Sequence, residues 1–386
     1  MPSAGTDERR ILLAGPLPPP YHGVAVYTEM VLRHGLGEGV RLIGLDTMNH
    51  RGIPAIEKLT PANVSFAIGC LFRLLRTIRR ENPDWVHIPI SQGFRGFLRD
   101  GLMILLARIA GRPVSLHLHG SAFGEFYKSS CFLTRWFIRF CLRRSAGAVV
   151  LGEILRGVFE GLLPPDKVRV ATNGVDGAPS AAEVEAAMER RLKSPVCRIV
   201  CLGGISRGKG IHVLLDAAGI AGRRRNDIEF RIAGGIMYEN ERTEIEDLAR
   251  RQGLGERLAF EGVISGRAKF EWLMDADLFV FPAVQREGLP LAILEAFSCG
   301  VPVLATPQGA IPEVLERGVF GELVPAGDAE AMAEAILRLA ADRKKLIAMG
   351  RKARETFERR HTVSACCREL REAIFSLAGW RDGAKR

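Results

Sequence analysis

The apolar positions of this chain fall in short runs that alternate with stretches of helical period. In the first half, residues 10–15 (RILLAG), 85–90 (WVHIPI), 113–120 (PVSLHLHG), 146–152 (AGAVVLG) and 167–174 (KVRVATNG) read as strands. Each is a short apolar run bounded by Gly, Pro or polar residues. A Pro-rich loop, PLPPPYHG, separates the first of them from a helix at 24–35 (VAVYTEMVLRHG), and a basic helix precedes the second. The second half repeats the theme with CRIVCLGG (197–204), IEFRIAGG (228–235), RLAFEGVI (257–264), ADLFVFPA (276–283) and VPVLAT (301–306), then becomes helical and charged from about Asp328. Strands alternating with helices predict parallel sheets covered on both faces, an α/β class with two doubly wound domains in tandem. Ligands of such domains bind outside the C-terminal strand ends. The stretch GAPSAAEVEAAMERRLKSP (177–195) is small, polar and helical, and reads as a linker. The expected division is therefore 1–178, a linker at 179–195, 196–365, and a C-terminal helix at 366–386 that packs back on the N-terminal domain.

One stretch departs from the apolar pattern. Residues 286–306, REGLPLAILEAFSCGVPVLAT, read as a mostly buried helix and strand, with Pro290 in the first turn and Gly300 as the stop. Yet Glu287 stands at its start and Glu295 in its apolar middle. A carboxylate there is costly unless hydrogen-bonded. The two are eight positions apart, roughly 12 Å along a helix at 1.5 Å per residue. Retaining glycosidases hold their carboxylates about 5 Å apart, so this spacing suits two acceptors distributed along an extended ligand.

Composition narrows the ligand. The 386 residues carry 54 Lys and Arg against 44 Asp and Glu, a net charge of +10, which favours polyanionic partners. The excess is uneven: between Ser65 and Ser145 lie thirteen Arg or Lys and four acidic residues. Within it, Arg135, Arg139 and Arg143 form one stripe of CFLTRWFIRFCLRRS (131–145), and LFRLLRTIRR (71–80) is similar. Two such helices in one half predict contact with an anionic membrane surface. No uncharged apolar run reaches the roughly 18 residues of a membrane helix, and the polar start MPSAGTDERR does not read as a signal peptide. The eight cysteines form no C-x-x-C pair, which predicts reduced thiols and a cytoplasmic protein rather than a disulfide or zinc framework.

The turn at 203–210 (GGISRGKG) follows a strand and precedes a helix, so its amides, with Arg207 and Lys209, suit a phosphate. A P-loop would need Ser or Thr after the lysine, where this chain has Gly210. The G-x-G-x-x-G dinucleotide fingerprint is absent from the first strand-to-helix turn. Gly23 sits where a backbone can approach a ligand closely. His117 and His119 share one face of their strand, His119 at its C-terminal tip. His-x-His could hold a metal, but no third ligand is evident.

Taken together these residues resemble the retaining glycosyltransferases of family 4, whose GT-B fold has two facing Rossmann-like domains and an inter-domain cleft. The resemblance is clearest from about Val200 to Asp328. It rests on the Gly-rich Lys-Gly turn, FEGVI (260–264), ADLFVFPA, the E-x7-E pair Glu287 and Glu295, GVPVLAT (300–306), GAIPEVLERGVFGELVP (309–325) and Asp328. Weaker matches are Gly23, HLHG (117–120), the GE at 152–153 and TNGVD (172–176). The resemblance implies a hexosyltransferase that takes a nucleotide-diphosphate sugar and a glycan or lipid-linked acceptor in cell-surface polysaccharide or glycolipid synthesis. Such an enzyme needs no metal or other cofactor, binds no nucleic acid, and works in the cytoplasm at the inner membrane face. It implies that Glu295 holds the ribose, that Glu287 lies by the transferred sugar, and that Gly288, Leu289 and Leu291 contact sugar and phosphate. Lys209 would neutralise the diphosphate, His119 line the reaction centre, and Gly23, Gly203 and Gly204 lie against the donor, with Val263 and Ile264 near the base. The N-terminal domain would bind the acceptor. The family usually has Arg where this chain has Gly204, with Arg207 as the candidate substitute, and its N-terminal Gly-Gly is here His22-Gly23. Two other readings remain: a catalytically inactive sugar-nucleotide-binding scaffold, supported by Gly204, and a P-loop-like nucleotidase, opposed by Gly210.

Overall fold

The computed structural model describes residues 8–50, 60–315 and 319–381. Positions 316–318 of the GAIPEVLERGVFGELVP motif, the MPSAGTD start and the last five residues lie outside them. The chain divides into two units, one through Gly174 together with Val363 onward, the other Val175–Thr362.

The first unit is built on a six-stranded parallel sheet. Its strands are β1 (Arg9–Gly15), β2 (Val40–Asp46), β3 (Trp85–Pro89), β4 (Val114–Leu118), β5 (Gly147–Val150) and β6 (Val168–Val170), in spatial order β2-β1-β3-β4-β5-β6. Every residue of β3, β4 and β5 is buried, as expected of strands covered on both faces. The expected helix after β1 is Gly23–His34. The C-terminal helix Val363–Ala378 also belongs to this unit. Its Cys366, Leu370, Ala373 and Ile374 share one apolar cluster with Tyr27, Trp85 and Val149.

The second unit has six parallel strands, β7 (Cys197–Leu202), β8 (Ile228–Ala233), β9 (Leu258–Gly262), β10 (Leu278–Phe281), β11 (Val303–Ala305) and β12 (Gly321–Leu323). Their order is β12-β11-β10-β7-β8-β9. Counted from β7, that is the doubly wound order 3-2-1-4-5-6, with the strand order reversing between β7 and β10.

Two expectations need correction. Residues 179–195 are not a linker: helix Ala181–Lys193 packs into the second unit, with Val184, Ala187 and Met188 buried along one face. Its buried Arg191 donates to the carbonyls of Ala276 and Gly300. An apolar stripe among many alanines and charges looks polar by composition but is amphipathic by period. The units accordingly change over at 174/175 and 362/363 rather than at 178 and 365. All eight cysteines are free, six of them buried and Cys131 exposed.

Candidate functional site

In the second unit the loops after β7, β10 and β11 converge where the strand order reverses. The turn 203–210 is tied to the loop after β10 by amides of Val284 and Gln285, which both donate to the Gly208 carbonyl, at 3.0 and 2.9 Å. Thr306 Oγ1 donates to the Ala283 carbonyl (2.6 Å) and the Ala310 amide to that of Gly288 (2.9 Å). Two of these approaches admit only glycine. Gly210 has φ +77°, and a Cβ there would collide with the Pro282 carbonyl; Gly309 has φ +53° and stands against the carbonyls of Glu287 and Gly288. The residue that spoils a P-loop spelling is therefore fixed by close backbone packing.

Lys209 Nζ donates to Glu287 Oε1 at 2.7 Å, and Gln285 Nε2 donates to the same oxygen at 2.9 Å. Both members of the ion pair are largely shielded from solvent. Helix Ile211–Arg224 starts at Gly210 and helix Leu291–Ser298 at Pro290, and neither has a side-chain cap at its N-terminus. Two positive helix ends and one lysine thus border this place, an arrangement that attracts an anion.

Glu295 stands in Leu291–Ser298 and is 8% exposed. Its burial is answered by Lys269 Nζ, which donates to Oε1 at 2.6 Å from the neighbouring helix Gly266–Met274. The sequence reading did not single out Lys269. Val263 and Ile264 follow β9, with Val263 78% exposed.

Arg207 does not join Lys209. Its amide donates to a carboxylate oxygen of Glu241 (2.7 Å) and its guanidinium pairs with Glu244. At Gly204, a Cβ would collide with the end of the Met237 side chain, so Met237 occupies the space a cation at 204 would need. The structure thus brings Gly203, Gly204, Lys209, Glu287, Gly288, Leu289, Leu291 and Glu295 to one end of one sheet, and commits the Arg207 guanidinium elsewhere.

Gly23 and His119 lie in the first unit. Gly23 opens its helix, capped by His22 Nδ1, which accepts from the Ala25 amide at 3.4 Å. Tyr27 of that helix meets the His119 ring edge-on at 4.6 Å, and His117 lies 4.0 Å from it. Behind them runs a buried polar string. Trp85 Nε1 donates to Ser115 Oγ (2.7 Å), Ser115 Oγ is hydrogen-bonded to His87 Nδ1 (2.8 Å), and His87 Nε2 to His117 Nδ1 (3.2 Å). Nε2 of His117 and of His119 is buried without a hydrogen-bond partner among the described residues. Burial, then neighbouring imidazoles, pushes His119 down to about 3. Burial alone takes His87 to about 3, and His117 is lowered by burial, His119 and His87. All three rings are neutral at physiological pH.

Two doubly wound parallel sheets, with a Gly-rich turn and carboxylates at a strand-order reversal, define an α/β protein of GT-B type. Residues 12–174 match the family model described as Glycosyl transferase 4-like domain, and residues 196–342 that of Glycosyl transferases group 1. The chain belongs to the group 1 glycosyl transferases. It is 27% identical over 221 residues to the amylovoran biosynthesis glycosyltransferase AmsK of Erwinia amylovora, covering 56% of this chain and 52% of that one. It is 26% identical over 294 residues to the alpha-D-kanosaminyltransferase of Streptomyces kanamyceticus, covering 72% and 74%. The matches span about half the length of the first curated relatives. Among solved structures, Anabaena HepE in complex with UDP-glucose has the same fold, with a TM-score of 0.72 over 95% of this chain and 99% of that one at 18% identity.

Proposed function

We propose that the protein is a retaining hexosyltransferase. It takes a nucleotide-diphosphate sugar and passes the hexose to a glycan or lipid-linked acceptor, without a metal, in cell-surface polysaccharide or glycolipid synthesis at the cytoplasmic face of a membrane. The observation that carries this reading is the Lys209–Glu287 pair between two uncapped helix ends at the strand-order reversal. AmsK, an amylovoran biosynthesis glycosyltransferase, supports the polysaccharide setting, and HepE, held in complex with UDP-glucose, supports the donor class.

The chemistry follows from charge. As the anomeric bond breaks, negative charge grows on the departing diphosphate. Lys209 and the preorganised amides at Gly288, Leu289 and Leu291 stabilise it. Glu287 accepts from the sugar hydroxyls, Glu295 from the ribose, and the acceptor hydroxyl passes its proton to a phosphate oxygen on the leaving-group face, so configuration is retained. His119, neutral, offers a hydrogen bond and no charge. Arg207 serves the donor only when its pair with Glu244 opens. The Met237-filled space at Gly204 is the observation that favours an inactive binding scaffold. Full biological function of a Glu287→Ala protein would select that reading.

Nucleoside diphosphates presented in EDTA test the site. A ligand at 100 times its Kd adds about 2.7 kcal/mol, a rise of roughly 5–11 °C in Tm for a unit of this size. We expect such a rise with one of UDP, GDP, ADP or dTDP, lost in Glu295→Ala; binding of ATP alone, and only with Mg²⁺, would refute the assignment. Lys269→Met removes the partner that holds the Glu295 carboxylate in place. It is expected to raise the Kd for that diphosphate about tenfold, roughly the worth of one charge-assisted hydrogen bond, with Lys269→Arg retaining most of the affinity. Titration calorimetry giving wild-type affinity for Lys269→Met would show that Glu295 needs no such support.

A further inference from the structure

Three helices of the first unit, Pro61–Glu81, Phe94–Ile109 and Phe132–Leu142, pack in succession, the middle one touching both others. Helices covering a sheet normally turn apolar side chains inward and polar ones outward. The middle helix does bury Phe97, Gly101 and Ile104. Its outer face, however, carries Phe94, Leu98 and Leu102 at successive four-residue steps, then Ile109, all exposed and Ile109 81% so. The same happens on either side. Pro61–Glu81 leaves Val64, Ile68 and Phe72 outside, again four residues apart, and Phe132–Leu142 leaves Phe132 and Trp136. Single exposed apolar residues are ordinary, but contiguous ones over three adjoining helices mark an interaction surface.

The charge around this ridge identifies the partner. Arg76, Arg79 and Arg80 on the first helix, Arg95 and Arg108 on the second, and Arg135 and Arg139 on the third are all exposed. The acidic residues nearby are already engaged: Glu81 pairs with Arg41 and Arg80, and Asp100 is buried against Arg99. Self-association through this face would set one arginine rim against its copy, which like charges oppose. A nucleic acid would use the arginines but leave the aliphatic ridge in water. An anionic bilayer satisfies both, the acyl boundary taking the ridge and the headgroups the rim.

We propose that this three-helix face docks on a membrane containing anionic lipid, with Phe94–Ile109 supplying the inserted ridge. The inference deepens the lipid-linked-acceptor reading, yet it does not depend on the donor chemistry, which the nucleotide melting shifts report separately. The full chain is to be sedimented with vesicles of phosphatidylcholine alone or with 30% phosphatidylglycerol, in about 0.1 and 0.5 M salt. Binding is expected only with phosphatidylglycerol, and 0.5 M salt is expected to weaken it without abolishing it, because the ridge contributes independently of charge. Leu98→Glu with Leu102→Glu should lower partitioning at least tenfold, as should Ile109→Glu alone. Arg135→Glu with Arg139→Glu should remove the lipid preference. Melting temperature and the nucleoside-diphosphate shift should stay as in the wild type for each variant. Wild-type protein left in the supernatant with phosphatidylglycerol vesicles, or ridge variants that bind as well as wild type, would overturn the proposal. So would a dimer in sedimentation velocity that Leu98→Glu dissociates, since the face would then belong to a second copy.

Discussion

Lys209→Ala is expected to lower kcat about 10²- to 10³-fold, the usual cost of removing one preorganised group that meets charge developing in a transition state. The donor KM should rise less, because two helix N-termini and the loop amides remain to hold the diphosphate. Glu287→Gln should separate the two effects in the opposite way. In the free protein Lys209 is engaged by Glu287 at 2.7 Å, so an incoming diphosphate competes with an internal carboxylate for the same ammonium. Neutralising that carboxylate should cost turnover comparably to the lysine change while tightening nucleoside-diphosphate binding several-fold. Turnover assayed beside calorimetry of the diphosphate checks both. Wild-type turnover in Lys209→Ala would remove the lysine from the mechanism. Weaker diphosphate binding in Glu287→Gln would show that the pair is not a competing one.

Acid should unfold the first unit well before carboxylate titration explains it. His87 and His117 are held neutral in the folded protein and return to a pKa near 6.5 when unfolded. Below pH 6.5 the unfolded chain therefore binds more protons than the native one, so stability falls as pH falls. The loss continues toward the folded value, about 3 for His87. Each such ring costs about 1.4 kcal/mol per pH unit over that window, and His119, lowered for the same reasons, adds in the same direction. Melting curves between pH 7.5 and 4.5 should show Tm dropping steeply below 6.5, with a shallower slope for His87→Gln. A flat Tm across that range, or a His87 or His117 imidazole titrating near 6.5 by NMR, would contradict the neutral string. The same neutrality predicts that no limb of the activity profile near pH 6.5 belongs to His119.

What could be read from the chain was whatever is local. The expected strands 197–204, 228–235, 257–264, 276–283 and 301–306 became β7 to β11: β10 and β11 are uninterrupted buried apolar runs, and β8 alternates buried Ile228, Phe230 and Ile232 with charged residues. β2 and β12 were passed over. β2 is a half-exposed edge strand interrupted by Arg41 and Gly44, and β12 has three residues. The Gly-rich turn, Glu287 and Glu295 carry local signatures and were visible. Lys269 was not, since a lysine in GRAKFEW looks solvated until the fold brings it to a carboxylate 26 residues away. Met237 was invisible for the same reason, and with it the packing at Gly204. His117 and His119 could be assigned to one strand face, but the hydrogen-bonded string through His87 and Ser115 depends on a cross-strand register that no local pattern carries. Arg207 misled through proximity: two residues from Lys209 in sequence, it spends its charge on Glu244.

The placement of Val363–Ala378 also sets an order of events during synthesis. The sheet of the first unit is translated by Val170, but the helix that closes one of its faces, Val363–Ala378, follows the whole of the second unit. About 200 residues must emerge in between, which takes roughly 10–40 s at ordinary elongation rates. Over that interval Tyr27, Trp85 and Val149 wait uncovered, while the second unit, contiguous in sequence, can already complete itself. That apolar face of the nascent first half stays open until the helix arrives, and a chain halted after Thr362 carries a complete second unit joined to an open first one.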